Sequence, residues 1–402
     1  MKQTLALVLA GGVGSRLGLL SSQRAKPAVP FGGTYRLIDF TLSNAMHSDV
    51  KWIGILTQYR PASLMDHIST GQSWNFIGPY RQLKILPPQY GRHDRDWYQG
   101  TADAIYQNLN FIKRFDVDLV LILSGDHIYK FDYNDMIAYH RKSGADLTIA
   151  GIEVPRRMIS EFGIIYTDTR GRIVDFVEKP AESKSRIASM GVYVFRRVFL
   201  ETILKQAVKR GFYDFGKHII PHVIGEYRVF MYPFSGYWRD VGTITSYWQS
   251  NLDTLRDIPE FSLASWQVMT NPGHREHGVR APTIYDHTAK VVNSSISKGC
   301  SIQGEVVSSI LSPGVQVHQN AKVCHSVVFH DTVIAPGAQI HGVIVDKNCR
   351  IGENAHIGQA MGEDWDPLTS PPPNNTVIAK GSLIPADTII DAGSQIDVMD
   401  KF

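Results

Sequence analysis

Residues 5–17 read Leu-Ala-Leu-Val-Leu-Ala-Gly-Gly-Val-Gly-Ser-Arg-Leu. Six apolar residues run without a break into a glycine-rich turn and then an arginine. That is the pattern of a strand buried on both faces whose carboxyl end opens into a loop. Further short apolar runs follow at 52–57, 119–123, 147–152 and 190–195, separated by helix-sized mixed stretches. Strands alternating with helices predict βαβ units and an α/β domain built on a mostly parallel sheet up to about residue 250.

The pattern changes after Pro282. Val315 to Ala321, Val317 to Val323, Ile334 to Ile340, Ala338 to Ile344, Cys349 to Ala355 and Ile351 to Ile357 are all six apart. The period breaks at 359–375, where Pro371, Pro372 and Pro373 stand, and resumes at Ile378, Ile384, Ile390 and Ile396. A sandwich would space its turns at about 8–12 residues and less regularly, so the period predicts a left-handed parallel β-helix of hexapeptide repeats. The expected organisation is a catalytic domain over 1–250, a linker with a connecting helix (251–260) over 251–282, and the β-helix over 283–402. Cys300, Cys324 and Cys349 all fall in the β-helix and are expected as small inward-facing residues.

Composition removes several classes. The chain has 402 residues with 43% hydrophobic and 20% charged, enough apolar material for two or three folded domains. Lys plus Arg is 41 against 38 acidic residues, a formal +3 that offers nucleic acid or a membrane surface little attraction. An odd, sparse set of three cysteines fits a reducing compartment better than a disulfide framework. The opening apolar run is too short to span a membrane, and Gly11-Gly12-Val13-Gly14 follows it too closely for a signal peptide. A cytoplasmic protein is expected.

The glycine loop is not a dinucleotide fingerprint, because Leu17 stands where a third glycine belongs, and no Gly-Lys-Ser/Thr follows to make a P-loop. It still suits phosphate. Glycines at 11, 12 and 14 let backbone N–H groups approach an anion, Arg16 can grip phosphate oxygens, and Lys26-Pro27 adds a second cation beside a rigid turn. Ser124-Gly125-Asp126 lies at the carboxyl end of the apolar run 119–123, where parallel sheets bind ligands. Asp126 reads there as a hard-oxygen ligand for Mg²⁺ or as a helix cap. His127 has no His or Cys spaced to join it and is expected to pack or hydrogen-bond. The amides of Gln58 and Gln89, with Gly100-Thr101, are candidates for reading a base.

Several blocks together resemble the ADP-glucose pyrophosphorylase (glucose-1-phosphate adenylyltransferase) family, bacterial type. They are Leu9-Ala10-Gly11-Gly12-x-Gly14-x-Arg16-Leu17, Arg24-Ala25-Lys26-Pro27-Ala28-Val29, Phe31-Gly32-Gly33, Arg36-Leu37-Ile38-Asp39-Phe40 and Leu42-Ser43-Asn44. With them go Trp97–Ala104, Ser124–Lys130, Phe176-Val177-Glu178-Lys179-Pro180, Ser189-Met190-Gly191 and Tyr237–Thr243. The resemblance implies attack by glucose 1-phosphate on the α-phosphorus of ATP with Mg²⁺ as cofactor. Arg16 would clamp the departing pyrophosphate, and Lys26 would sit near the α-phosphate. Asp240 would join Asp126 on the metal, and Tyr98, Gly163, Glu178, Lys179 and Ser189 would hold the sugar phosphate. It also implies a homotetramer, with a related regulatory subunit as a further partner.

The chain departs from many bacterial members at Val13, where they carry a basic residue, and at Gln23, where they carry an activator-binding lysine. A weak response to fructose 1,6-bisphosphate is therefore expected. Three other readings compete: a UTP- or dTTP-using sugar nucleotidyltransferase, a non-catalytic regulatory subunit, and acyl transfer on the β-helix using His318, His325, His330, His341 or His356. The first usually lacks the run 24–44, the second loses phosphate-gripping residues kept here, and histidines are tolerated on solvent faces of such rungs.

Overall fold

A computed structural model describes residues 3–88, 97–271, 280–360, 365 and 374–398. Gln3–Ala10 lies inside a nine-stranded sheet, parallel to Trp52–Thr57 on one side and to Val117–Ser124 on the other. Ala6, Val8 and Ala10 face one core with Ile53, Ile55, Leu121 and Leu123. Leu5 and Leu7 face the opposite core with Leu56, Val120 and Ile122. Burial on both faces is why the run carries no polar alternation.

The parallel expectation holds on this half of the sheet and for Val229–Pro233 beside Leu147–Glu153. Ile187–Arg196 runs antiparallel to Val117–Ser124, Leu147–Glu153 and Gly163–Thr167, so the sheet is mixed. Ile173–Glu178 and Ile187–Arg196 flank Gly163–Thr167 and both run antiparallel to it, so the loop over 179–186 joins two strands of the same direction across the one between them.

The second part is a left-handed β-helix of three parallel six-stranded faces. Val317, Val323 and Val328 point inward on successive faces, as do Ile334, Ile340 and Val345 one coil later. The spacing of these residues is six, then five, because the corner into the third face is one residue shorter. Ala338 and Ile344, six apart, are therefore not equivalent: Ala338 is inside, whereas Ile344 faces out onto the first domain. Cys300 and Cys349 are inward as expected. Cys324 is not: strand Lys322–Cys324 turns Val323 inward, which puts Cys324 on the outer side with Lys322.

That third face is apolar on both sides and joins the domains. Ile310, Val327, Ile344 and Val377 pack on Phe31, Phe40, Tyr247 and Trp248. The connecting helix expected at 251–260 is found at Ile244–Asp253, started by Thr243, whose hydroxyl accepts from the Ser246 N–H. Its Trp248 indole donates to the His325 carbonyl at 2.7 Å. Arg24 and Asp346 form a buried ion pair across the same interface at 3.0 Å. No helix among the described residues is long and apolar enough to cross a membrane.

One core group sets a pH limit on stability. His140 is buried with Nδ1 2.8 Å from the Thr148 hydroxyl, and burial, aided by Arg196, pushes its pKa down to about 4. The unfolded chain takes up this proton near 6.5 and the folded one does not. His140's contribution is therefore whole above pH 6.5 and falls as pH drops towards 4, by about 3 kcal/mol in all. Urea unfolding between pH 7 and 4.5 should show this slope, and His140→Gln should flatten it; an unchanged slope in the variant would assign it to other groups.

Candidate active site

The glycine loop leaves Gln3–Ala10 at the carboxyl edge of the parallel half. Gly14 has φ +67 and opens the 3₁₀ helix Ser15–Ser21; a Cβ here would need left-handed backbone and would lie 3.0 Å from the Lys26 Cβ. Gly12 meets nothing within 4 Å on its side-chain side, and a Cβ on Gly11 would come to 3.1 Å from Gln58. A cavity of about 300 Å³ opens beside the loop, lined among others by Gly11, Gly12, Gln58, Tyr98, Thr101 and Asp126.

At its edge stands a cluster of charge. Lys26, on a short 3₁₀ turn fixed by Pro27, is 7% exposed, with Nζ 2.8 Å from Asp126 and 3.0 Å from Asp240. Burial alone would push its pKa down, but Asp126 and then Asp240 outweigh it, and the ammonium titrates above its ordinary value. The Asp126 carboxyl is held well below the usual carboxylate range: burial opposes this, and Lys26 chiefly overcomes it. The Ser124 hydroxyl also donates to Asp126.

Asp240 reaches the cluster from far along the sequence because Trp238–Asp240 pairs antiparallel with His127–Tyr129. This register sets Asp240 directly opposite His127. Arg16 approaches Asp240 at 3.8 Å with its side chain 52% exposed, and Gly242 leaves it room, since a Cβ there would lie 2.7 Å from the guanidinium. Two carboxylates thus face one buried ammonium and one loosely attached guanidinium. The oxygen-rich donor set fits a divalent cation.

A second group gathers around Glu178. Burial raises its pKa, Lys179 counteracts, and Asp214 adds to the rise. Lys179 holds a left-handed φ of +49, a costly conformation for a non-glycine residue, and its Nζ lies 3.8 Å from Glu178. Gly163 is required locally, because a Cβ would lie 2.3 Å from the Phe176 ring and 2.9 Å from Glu178. The Ser189 hydroxyl is 3.5 Å from that of Tyr193. The Thr101 hydroxyl donates to Asp214 at 3.2 Å, so this group adjoins the cavity.

Tyr98 is placed differently from its expected role. Its ring lines the cavity with Gly11, Gly12 and Gln58, while its hydroxyl accepts from Asn108 at 3.0 Å and donates to the Leu86 carbonyl at 3.2 Å. It therefore groups with the residues assigned to the nucleotide, and its hydroxyl is already satisfied within the fold. The Gln58 amide is likewise engaged, accepting the Tyr98 N–H at 2.7 Å. Gly100 is fixed by its neighbour, since a Cβ would lie 2.4 Å from the Tyr213 carbonyl. Gln89 lies outside the described residues.

His127, Asp214 and Gly242 were not among the residues expected from sequence. His127 does pack, edge-on to Trp238, and its Nδ1 donates to the Met190 carbonyl at 3.1 Å; its Nε2, however, faces Asp126 and Asp240. The signal for it was position alone: it follows Asp126 at the end of the strand.

A family model described as Nucleotidyl transferase matches residues 5–257, and one described as GlmU-like, C-terminal hexapeptide matches 282–379. Curated relatives named glucose-1-phosphate adenylyltransferase align over nearly the full length. The protein of Thermotoga sp. (strain RQ2) is 43% identical over 407 residues, covering 99% of this chain and 95% of the relative. That of Thermotoga neapolitana is 44% identical with the same coverage. That of Desulforamulus reducens is 42% identical over 394 residues, 96% of this chain and 97% of the relative. With two-fifths of its residues shared along both domains, this nucleotidyltransferase chain belongs to the glucose-1-phosphate adenylyltransferase family.

Proposed function

We propose that the protein transfers the adenylyl group of ATP to glucose 1-phosphate, giving ADP-glucose, the glucosyl donor for α-glucan (glycogen) synthesis, and pyrophosphate. The observation that carries this is the cavity beside the glycine loop with Lys26, Asp126 and Asp240 at its edge. A phosphate oxygen of glucose 1-phosphate forms the new bond to the α-phosphorus as the bond to the β-phosphate bridging oxygen breaks. The nucleophile is already an anion, so the site needs no general base; it must hold two anions together and neutralise the charge of the transition state. Lys26 is fixed where it can meet the α-phosphate. Arg16, half exposed, is free to swing onto the β- and γ-phosphates. Mg²⁺, held by Asp126 and Asp240, would supply further charge neutralisation at the α-phosphate. Purified protein with glucose 1-phosphate and Mg²⁺ should release pyrophosphate far faster from ATP than from UTP, dTTP, GTP or CTP. Equal or faster release from UTP would overturn the assignment.

In this reading Lys179 and Glu178 meet only the sugar phosphate. Lys179→Gln should raise the KM for glucose 1-phosphate on the order of tenfold or more while moving the KM for ATP little, because it removes binding shared by ground state and transition state. Equal rises in both would place Lys179 in the wrong half of the site.

The assembly is read as a homotetramer. The outer side chains of Ile284 (68% exposed), Leu383 and Ile389 would be covered by further subunits. Three unpaired cysteines support a cytoplasmic setting. Regulation by a sugar bisphosphate is read as weak: Gln23 supplies no charge, and neighbouring Arg24 is bound to Asp346 rather than free for an anion.

A further inference from the structure

We propose that His127 is a direct ligand of the divalent ion, binding through Nε2, and that this nitrogen favours Mn²⁺ and Co²⁺ over Mg²⁺ more than a purely carboxylate site would. The inference rests on the reading that Asp126 and Asp240 hold a metal.

Three features of the geometry point this way. First, the tautomer is fixed. Nδ1 lies 3.1 Å from the Met190 carbonyl, an acceptor only, so Nδ1 carries the proton and in the neutral ring, the form that binds a metal, Nε2 presents its lone pair. Ligating histidines are generally oriented in this manner, by a backbone carbonyl on the far nitrogen. Second, the lone pair is aimed at the metal carboxylates. Nε2 is 3.7 Å from Asp126 Oδ1 and 3.8 Å from Asp240 Oδ1. These separations are too long for hydrogen bonds and exceed by less than about 1 Å the roughly 3.0–3.4 Å between neighbouring ligands of one ion about 2.1 Å from each, so a modest inward turn of the side chains would close them onto an ion. Third, Lys26 need not leave Asp126: it occupies Oδ2, and Oδ1, which accepts from the Ser124 hydroxyl, stays turned towards His127. At Asp240 the ion would share Oδ1 with the Lys26 ammonium, which lies 3.0 Å from it. The ring itself is held by Trp238 edge-on at 5.3 Å and by the strand register that sets Asp240 opposite.

The consequence is selectivity. Mg²⁺ prefers oxygen and gains little from imidazole, whereas affinity for nitrogen rises from Mn²⁺ to Co²⁺. A site of two carboxylates and one imidazole should therefore rank Co²⁺ and Mn²⁺ further above Mg²⁺ than two carboxylates alone.

The test is spectroscopic and needs no turnover. Full-length protein is loaded with Mn²⁺ in the absence of substrates and examined by electron spin echo envelope modulation. A directly bound ¹⁴N is expected, replaced by the ¹⁵N pattern when the histidines are ¹⁵N-labelled and absent from His127→Gln. By competition against Mg²⁺, the preference for Mn²⁺ should fall about tenfold in the same variant. Bound Mn²⁺ without nitrogen coupling in the labelled wild type, a comparison that requires no substitution, would overturn the inference while leaving the carboxylate site intact. Coupling that persists in His127→Gln would also overturn it. Absence of bound Mn²⁺ would remove the metal reading itself and this inference with it.

Discussion

Asp126→Asn should lower kcat for ADP-glucose formation on the order of 10³-fold, with the protein still folded. The size follows from how many functions meet in one carboxylate. Asp126 lines the cavity, binds Lys26 at 2.8 Å and turns its other oxygen to the position read as the metal site. The amide keeps the shape but removes the charge, so it weakens the hold on a divalent ion. It also loosens the Lys26 ammonium just where the α-phosphate must be met. The fold should survive because the buried ammonium keeps Asp240 at 3.0 Å and is not left unpaired. Pyrophosphate release with ATP and glucose 1-phosphate, beside a circular dichroism melt, checks both halves. Near-normal turnover in a folded variant would reduce Asp126 to a turn-forming residue.

The parts of this site that are local in sequence were legible, and those that depend on strand pairing were not. Gly11, Gly12, Gly14, Arg16 and Lys26 lie within one loop and its following turn, so spacing alone brought them together. Asp126 was legible because an apolar strand points to it. Asp240 needed the family resemblance: it stands 114 positions after Asp126, and only the pairing of Trp238–Asp240 with His127–Tyr129 joins them. His127 was read by residue type, since no second His or Cys is near in sequence, and that test is blind to a mixed oxygen and nitrogen set. Tyr98 shows a related limit. Its hydroxyl looks available in sequence, but Asn108 and the Leu86 carbonyl have taken it.

The fold divides in the same way. Period and strand runs were enough for the β-helix and for the parallel half of the sheet. The antiparallel strands were not legible because an apolar run reads the same for either strand direction, and the displaced helix depended on Thr243 acting as its cap. The docking face was visible in principle. Ile310-Leu311, Val327-Val328, Ile344-Val345 and Val377-Ile378 are adjacent apolar pairs, whereas a solvent-facing strand would alternate. Such doublets, recurring once per coil, mark a rung side that is buried twice, inside the helix and against another domain.

That interface carries the second large effect. Asp346→Ala should cost about 3–5 kcal/mol of stability, because it strands the Arg24 guanidinium inside the domain junction. Both partners are almost fully buried, with 5% and 1% of their side-chain surfaces exposed, and the bonded nitrogen lies 3.0 Å from each carboxylate oxygen. An exposed pair would contribute a fraction of this, because water would replace the lost carboxylate. Here both side chains are buried at the domain junction, and no solvent takes its place. The damage should also reach the active site. Arg24 stands two residues before Lys26, whose Nζ must stay between Asp126 and Asp240, so the variant should lose kcat even at temperatures where it is folded. The control is the pair replaced together: Arg24→Met with Asp346→Leu removes both charges and should recover most of the stability, since the penalty comes from the unpaired charge rather than from the missing bond. Urea unfolding of the wild type, Arg24→Met, Asp346→Leu and the double variant measures the coupling. A loss below about 1 kcal/mol in Asp346→Ala would show that apolar contact alone holds the two domains together, and a double variant no more stable than the single one would show that the loss comes from the missing pair rather than from an unpaired charge.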